Sequence, residues 1–229
     1  MKNQMKFIAM ATLVVASAGA CAQSAGSWIV RAGATSIQPQ GPSENLSAPA
    51  LWIPASTTGS QTSTGSDTQF GGGITYMLTD NVSVDVPVSL PFKHKLYGAG
   101  AIDGVGQIGS VKALPATVFL QYRFMDAASK FRPYVGLGAT YAYFFGAEGS
   151  GTLTRLTGGT PSSPTGLSID SKFIVTPQIG LTLAVSDRWS VDLSYSKSSL
   201  KTTARLSTGQ TVDAALDPAS TSIGVSYRY

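Results

Sequence analysis

The chain has 229 residues, of which 43% are apolar and only 12% charged, with 25 glycines and a formal charge of +4. The charged fraction is about half that of an ordinary soluble domain, yet beyond the N-terminal segment no apolar run is long enough for a transmembrane helix. That leaves a Gly-rich secreted β protein or a membrane barrel with apolar residues at every second position, and the absence of any Lys/Arg run gives no reason to expect a nucleic-acid partner.

Residues 1–22 read as a secretory signal. Lys2 and Lys6 form its charged region, residues 7–15 its apolar core, and the small residues 16–22 its cleavage region. Cleavage after Ala22 makes residues 23–229 the mature domain. Cys21 is the only cysteine and invites a lipoprotein reading, which Ala18, standing where a lipobox carries Leu, weakens. Without Cys21 the mature chain has no disulfide, so a closed sheet must hold it together.

The first predicted strand spans residues 27–37, with Trp28, Val30, Ala32 and Ala34 on one face and Arg31, Gly33 and Thr35 on the other. Residues 38–68 form a long Ser/Thr/Gly/Pro loop carrying an apolar island, Leu51, Trp52 and Ile53, which suits contact with an apolar molecule or a loop folded on itself. The second strand (69–78) and the third (82–92) flank the tight turn Thr79-Asp80-Asn81. The third alternates most cleanly, with Val82, Val84, Val86, Val88 and Leu90 against Ser83, Asp85, Pro87 and Ser89. A loop over 93–112 leads to the fourth strand (113–124), and a short turn to the fifth (131–145). A polar loop (146–170) precedes the sixth strand (171–185). The turn at 186–188 starts the seventh at Trp189, and a last long segment leads to the eighth (220–229), which puts Ile223, Val225, Tyr227 and Tyr229 on one face.

Eight strands joined by alternating long and short connections specify an all-β fold, an eight-stranded antiparallel transmembrane β-barrel with short periplasmic turns and long extracellular loops. Trp28, Tyr76, Tyr122, Phe124, Phe131, Trp189, Tyr227 and Tyr229 fall near the short turns and termini and make an interfacial girdle. Closure removes the edges that so apolar a sheet could not leave exposed in lipid. The expected location is the outer membrane, with lipid around the barrel and the C-terminal strand engaging the barrel-assembly machinery.

The inward faces carry six charges, Arg31, Asp85, Arg123, Arg132, Asp192 and Arg228, all near the periplasmic end. The interior of an eight-stranded barrel is just wide enough for side chains to fill. These residues are therefore expected to pair across the lumen and plug its lower half, whether as a barrier or merely as a brace. The outer half carries neutral residues, among them Thr35, Ile37, Ser89, Thr117, Thr140, Ala142, Phe144 and Thr176, and should form a cup. Pro87, Pro91 and Pro115 flank one outer hairpin. Lacking N–H groups, they should loosen the seam between the third and fourth strands and leave a lateral gate. Pro133 and Pro177 lie within other strands and temper that reading.

Other signals carry less. Residues 104–109 match G-x-G-x-x-G, but a strand rather than a helix follows, so nucleotide binding is not implied. His94 has no Cys or His partner for a metal, and an interfacial histidine is expected. No spaced nucleophile, base and acid mark an enzyme, and no cofactor is implied. A structural, receptor or adhesin barrel without transport is the alternative to a channel.

Three stretches resemble the OmpW family of small, OmpW- and AlkL-like outer-membrane proteins: residues 75–81 (TYMLTDN), 91–95 (PFKHK) and 130–138 (KFRPYVGLG). Leu114-Pro115-Ala116-Thr117 and the Tyr-Arg-Tyr ending fit as well. The resemblance implies passage of small hydrophobic molecules through a loop-built funnel and sideways into the bilayer. It also implies that Phe173 occupies the place of a lumenal Trp, while the longer, Ser/Thr-rich first loop leaves the family's funnel residues unmatched there. With the apolar island Leu51, Trp52 and Ile53 and the inward Phe144 read from the residues themselves, Phe173 completes the expected substrate path.

Overall fold

In the computed structural model, which describes residues 23–41, 43–46 and 59–229, thirteen strands and one short helix follow the chain: β1 (Trp28–Gln38), β2 (Ser60–Thr64), β3 (Asp67–Met77), β4 (Val82–Ser89), β5 (Phe92–Gly100), β6 (Gln107–Arg123), β7 (Phe131–Gly149), α1 (Gly151–Leu156), β8 (Leu167–Ile169), β9 (Lys172–Ala184), β10 (Trp189–Lys197), β11 (Lys201–Leu206), β12 (Thr211–Ala215) and β13 (Ala219–Arg228). The signal sequence expected at 1–22 and the island at Leu51, Trp52 and Ile53 lie outside the described residues.

Eight of these strands close antiparallel in the order β1-β3-β4-β6-β7-β9-β10-β13, and β13 returns to β1 in a ladder running from Ile29↔Arg228 to Gln38↔Ala219. The ladder between β1 and β13 makes the C-terminal strand the closing stave. Period-two alternation sets what each face meets. Ile29, Arg31 and Ile37 point inward and are buried, while Trp28 and Val30 point outward and are exposed. The same pattern puts Ile74, Val86, Leu120, Leu137, Ile179, Leu193 and Val225 on the lipid side.

Aromatic rings mark two levels on that outer wall. Trp28 packs on Tyr76, Tyr122 on Phe124, and Trp189 on Tyr227 near the periplasmic turns. At the other end Tyr141, Tyr143, Phe145 and Phe173 form a continuous stack. From Phe131 to Tyr141 a strand rises roughly 33 Å along its axis, or about 25 Å once tilted, which is the height of an outer-membrane apolar band.

Three predicted loops turn out to be structured above the outer girdle, and the described end of a fourth carries β2. The third predicted strand ends at Ser89, and a separate strand, β5, starts at Phe92 and pairs with an extended β6 from Phe92↔Ala113 to Tyr97↔Gln107. Phe92, His94 and Leu96 alternate inward against Lys93 and Lys95, so the ladder continues where charge and Gly suggest a loop. Gly104 and Gly106, at φ +82° each, turn this hairpin, which accounts for the G-x-G-x-x-G match as turn chemistry. The segment 146–170 holds α1, N-capped by Ser150 Oγ accepting from the Leu153 amide at 3.2 Å. Leu153 packs with Leu96 and Ile108 in a small cluster that Leu167 and Leu206 border. The last long segment is the hairpin β11–β12, with β8 alongside it.

Candidate functional site

The inward charges of β1, β4 and β10 meet on the barrel axis. Arg31 places one nitrogen 3.3 Å from Asp85 Oδ2 and the other 3.2 Å from Asp192 Oδ1. The carboxylates are satisfied further: Thr75 Oγ1 donates to Asp85 at 2.6 Å, and Tyr134 and Thr182 hydroxyls donate to Asp192 at 3.1 and 2.8 Å. Asp85 has no exposed surface at all. A buried pair gains from its Coulomb attraction only when its remaining lone pairs are met, and here they are.

Arg123 lies in the same packed layer with a different set of partners. It donates to Ser83 Oγ at 3.2 Å, Gln121 Oε1 at 2.9 Å and Thr182 Oγ1 at 2.9 Å, and its guanidinium sits 4.7 Å from the Tyr134 ring centroid. Gln121 donates on to Gln178 at 2.8 Å. Every barrel strand except β13 thus contributes a hydrogen-bonding side chain, and β13 contributes Gly224 beneath the Arg31 stem. Glycines make room for these large groups: a Cβ at Gly180 would overlap the Tyr134 ring, one at Gly138 would lie 2.6 Å from Phe119, and one at Gly73 would lie 2.8 Å from Arg31.

Two of the six expected charges sit at the rim and make other contacts. Arg132 is buried, but it donates to main-chain carbonyls of Gln23 and Asp80 at 3.1 and 2.5 Å, holding the N-terminal approach and a periplasmic turn. Arg228 donates to the Asp187 carbonyl at 2.9 Å in the turn before β10. It falls beyond the Arg31 layer because its β1 partner is Ile29, two residues nearer the periplasm than Arg31.

Above this layer the lumen opens into a cup of about 1350 Å³, counting its open mouth. Its floor is Arg31, Phe119 and Gln178. Phe92, Leu96, Val111, Pro115, Ala142 and Phe144 supply apolar wall, and Leu200, Leu216 and Pro218 lean in from the long segment before β13. Phe144 lies where the sequence places it. Phe173 does not line the cup: it is 80% exposed and packs on Tyr141 at the outer girdle, 4.6 Å between centroids. Inward positions of β9 are even-numbered, so Ile174 and Thr176 hold the lumenal places, one residue from the expected one. His94 is buried against the cup with Nδ1 donating to the Gly65 carbonyl at 2.8 Å. Burial is the largest influence on its imidazole, which is held below the ordinary range.

The seam between β4 and β6 is broken in its outer part. The ladder runs from Val82↔Tyr122 to Asp85↔Phe119 and stops; pairing with β6 resumes only at Phe92 on β5, one residue out of step. The unpaired stretch holds Pro87 and faces Pro115, and Pro91 lies in the break between β4 and β5. Main-chain direction explains the choice of residue. Arg123 N–H donates to Asn81 and Leu90 N–H to Phe70, so odd-numbered positions of β4 and β6 face each other across this seam. Pro87 and Pro115 occupy such positions and carry no N–H to be stranded in lipid. Pro133 and Pro177 lie in β7 and β9, whose ladder stays registered through both, so proline alone does not open a seam. On the β6–β7 ladder the break spans the levels of Ala139 to Tyr143, the outer half of the apolar band.

Similar proteins place this architecture. The model of the OmpW family matches residues 24–229. Outer membrane protein W of Vibrio cholerae is 33% identical, over 89% of both chains, and that of Escherichia coli 31% identical, over 99% of this chain and all of its own. Among solved structures, the crystal structure of OprG from Pseudomonas aeruginosa superposes with a TM-score of 0.79 at 24% identity, covering 92% of this chain and 99% of its own. The NMR structure of E. coli outer membrane protein W gives 0.56 at 29% identity, over 90% and 100%. With a closed eight-stranded barrel, two aromatic girdles and a family match across the described body, the chain belongs to the OmpW family of outer-membrane proteins.

Proposed function

We propose that this barrel takes up small hydrophobic molecules at its extracellular mouth, holds them in the cup, and releases them sideways between β4 and β6 into the outer leaflet. The observation that carries the reading is the unpaired seam with Pro87 and Pro115 at the positions where N–H groups would otherwise face lipid. An opening in the sheet costs several kcal/mol per stranded polar group in a bilayer, so a seam in which Pro87 and Pro115 each remove one facing donor is a feature with a use.

The floor supports the same direction of travel. Arg31 between Asp85 and Asp192, with Arg123 packed alongside, fills the axis with satisfied charge, and an apolar molecule gains nothing by entering it. Release must then be lateral, and the barrel acts without catalysing a reaction. Its C-terminal strand β13 serves the barrel-assembly machinery during insertion. The test is uptake of n-octane by cells lacking their own barrel of this kind. Pro87→Val with Pro115→Val should restore two donors, let the seam zip further, and lower the gain several-fold. Uptake unchanged in a correctly folded double variant would count against the gate.

A further inference from the structure

The wall opposite the window differs from the rest of the cup. The seam diametrically across from β4–β6 is β10–β13, four staves away in either direction. Its inward positions are Ser194 and Ser196 on β10, directly paired with Ser222 and Ser220 on β13. All four line the cup. Cross-strand partners of this kind hold their Cβ atoms about 5 Å apart, so the four hydroxyls form one small polar patch at the outer-leaflet level.

Half of the hydroxyls lining this cup are already used. Thr117, Thr140, Thr176 and Ser198 pass hydrogen bonds along one row at 2.8–2.9 Å, and Ser222 bonds Thr35 at 2.8 Å. Ser194, Ser196 and Ser220 make no side-chain hydrogen bond to any described residue and sit together on this wall, while the other two such hydroxyls of the lining, Thr64 on β2 and Ser89 on β4, stand on separate strands. Ser194 is only 6% exposed, and it lines the cup. Its hydroxyl is open to the cup rather than sealed, since Ser60 Oγ is the one described side-chain atom that is both buried and unpartnered; water meets it until a polar head takes that place, whereas packing alone would be served equally by Ala.

We infer that the Ser194, Ser196 and Ser220 hydroxyls bind the polar head of a neutral, one-headed amphiphile, such as a medium-chain alcohol or ketone, while its apolar body lies toward Phe92, Val111 and Pro115 at the window. A plain alkane leaves these hydroxyls unmet. Among the described residues lining the cup a carboxylate finds no available cation, because Arg31 is held by two carboxylates and His94 donates to Gly65. The head therefore faces the closed seam and the tail faces the open one, an orientation that sends the tail out first. This assignment rests on the import reading and names its cargo.

The experiment compares n-octane, 1-octanol and octanoate uptake by cells making the intact protein or the triple variant S194A/S196A/S220A, with folding checked by heat-shifted gel mobility. Intact protein should give gain for octane and octanol and none for octanoate. The triple variant should lose octanol gain roughly five-fold, the effect of one hydrogen bond, and keep its octane gain; S194T with S220T should retain octanol gain. If the triple variant does not fold, S194A and S220A singly are read the same way. Octane and octanol falling together, neither changing, or octanoate entering as well as octanol would each overturn the assignment while leaving import standing. No gain for any probe with intact protein would remove import itself, and this assignment with it.

Discussion

The two halves of the lumen are built on opposite rules. Below, large charged and aromatic groups sit over glycines, and nearly every polar atom has a partner: Arg31 on Asp85 and Asp192, Tyr134 over Gly180, Arg123 over Tyr134. Above, the described lining is apolar or hydroxylic apart from His94, the floor supplies its only guanidinium, and one seam gives up its ladder. The same staves run through both halves, so register and face are shared. The difference lies in side-chain size and in where proline replaces an N–H donor. A barrel of this size is closed by filling and opened by omission.

The comparison breaks most visibly from below. Asp192→Ala removes the acceptor of three donors and leaves Arg31 half paired in a buried site; the folded barrel should lose about 3 kcal/mol or more, read as a shift in the urea midpoint of refolding into detergent micelles. A loss within error of an exposed control such as Asp213→Ala would mean the layer is decoration. Gly180→Ala comes next. Its methyl must displace the Tyr134 ring, at about 1–3 kcal/mol, and the same unfolding assay should show less loss when Tyr134→Ala is present, because the clash is then gone. In the upper half Thr140→Val breaks two links of the hydroxyl row and should cost about 1 kcal/mol; a cost equal to that of Asp192→Ala would erase the contrast between the halves. The smallest effect concerns His94 above the outer girdle. Its folded imidazole is held below the ordinary value of 6.5, so the neutral form is favoured. Loop stability is then full above that value and declines as pH falls below it, which amide exchange at β2 and β5 would detect; His94→Phe should abolish the pH dependence.

Much of this was legible because period two is a strong signal in lipid. Every second residue of the third predicted strand is apolar, and its inward Asp85 follows from counting. The three prolines point to the seam for a reason visible in sequence, since each lacks a donor wherever it falls. Which neighbour that donor would have faced needs the ladder, and only there do Pro87 and Pro115 separate from Pro133 and Pro177. Phe173 fails for the same reason that Asp85 succeeds: matching a bulky residue by resemblance ignores parity, and one residue changes the face. Arg228 shares the parity of the plug but lies too low, because parity says nothing of height. The extended β5–β6 hairpin hides behind charge and glycine. Its alternation, Phe92-His94-Leu96, is present but short. The serine patch is invisible in one dimension, since Ser194 and Ser222 are ordinary until β10 and β13 are aligned.

On the proposed route cargo leaves through the β4–β6 seam. Continuing the register of Asp85↔Phe119 sets Val88 opposite Ala116 on the lipid face, so Val88→Cys with Ala116→Cys places a reversible clasp across the opening. With the disulfide formed quantitatively, n-octane uptake should fall to that of cells without the barrel, and reduction should restore it. Uptake that persists undiminished with the clasp closed would show that cargo takes another way out.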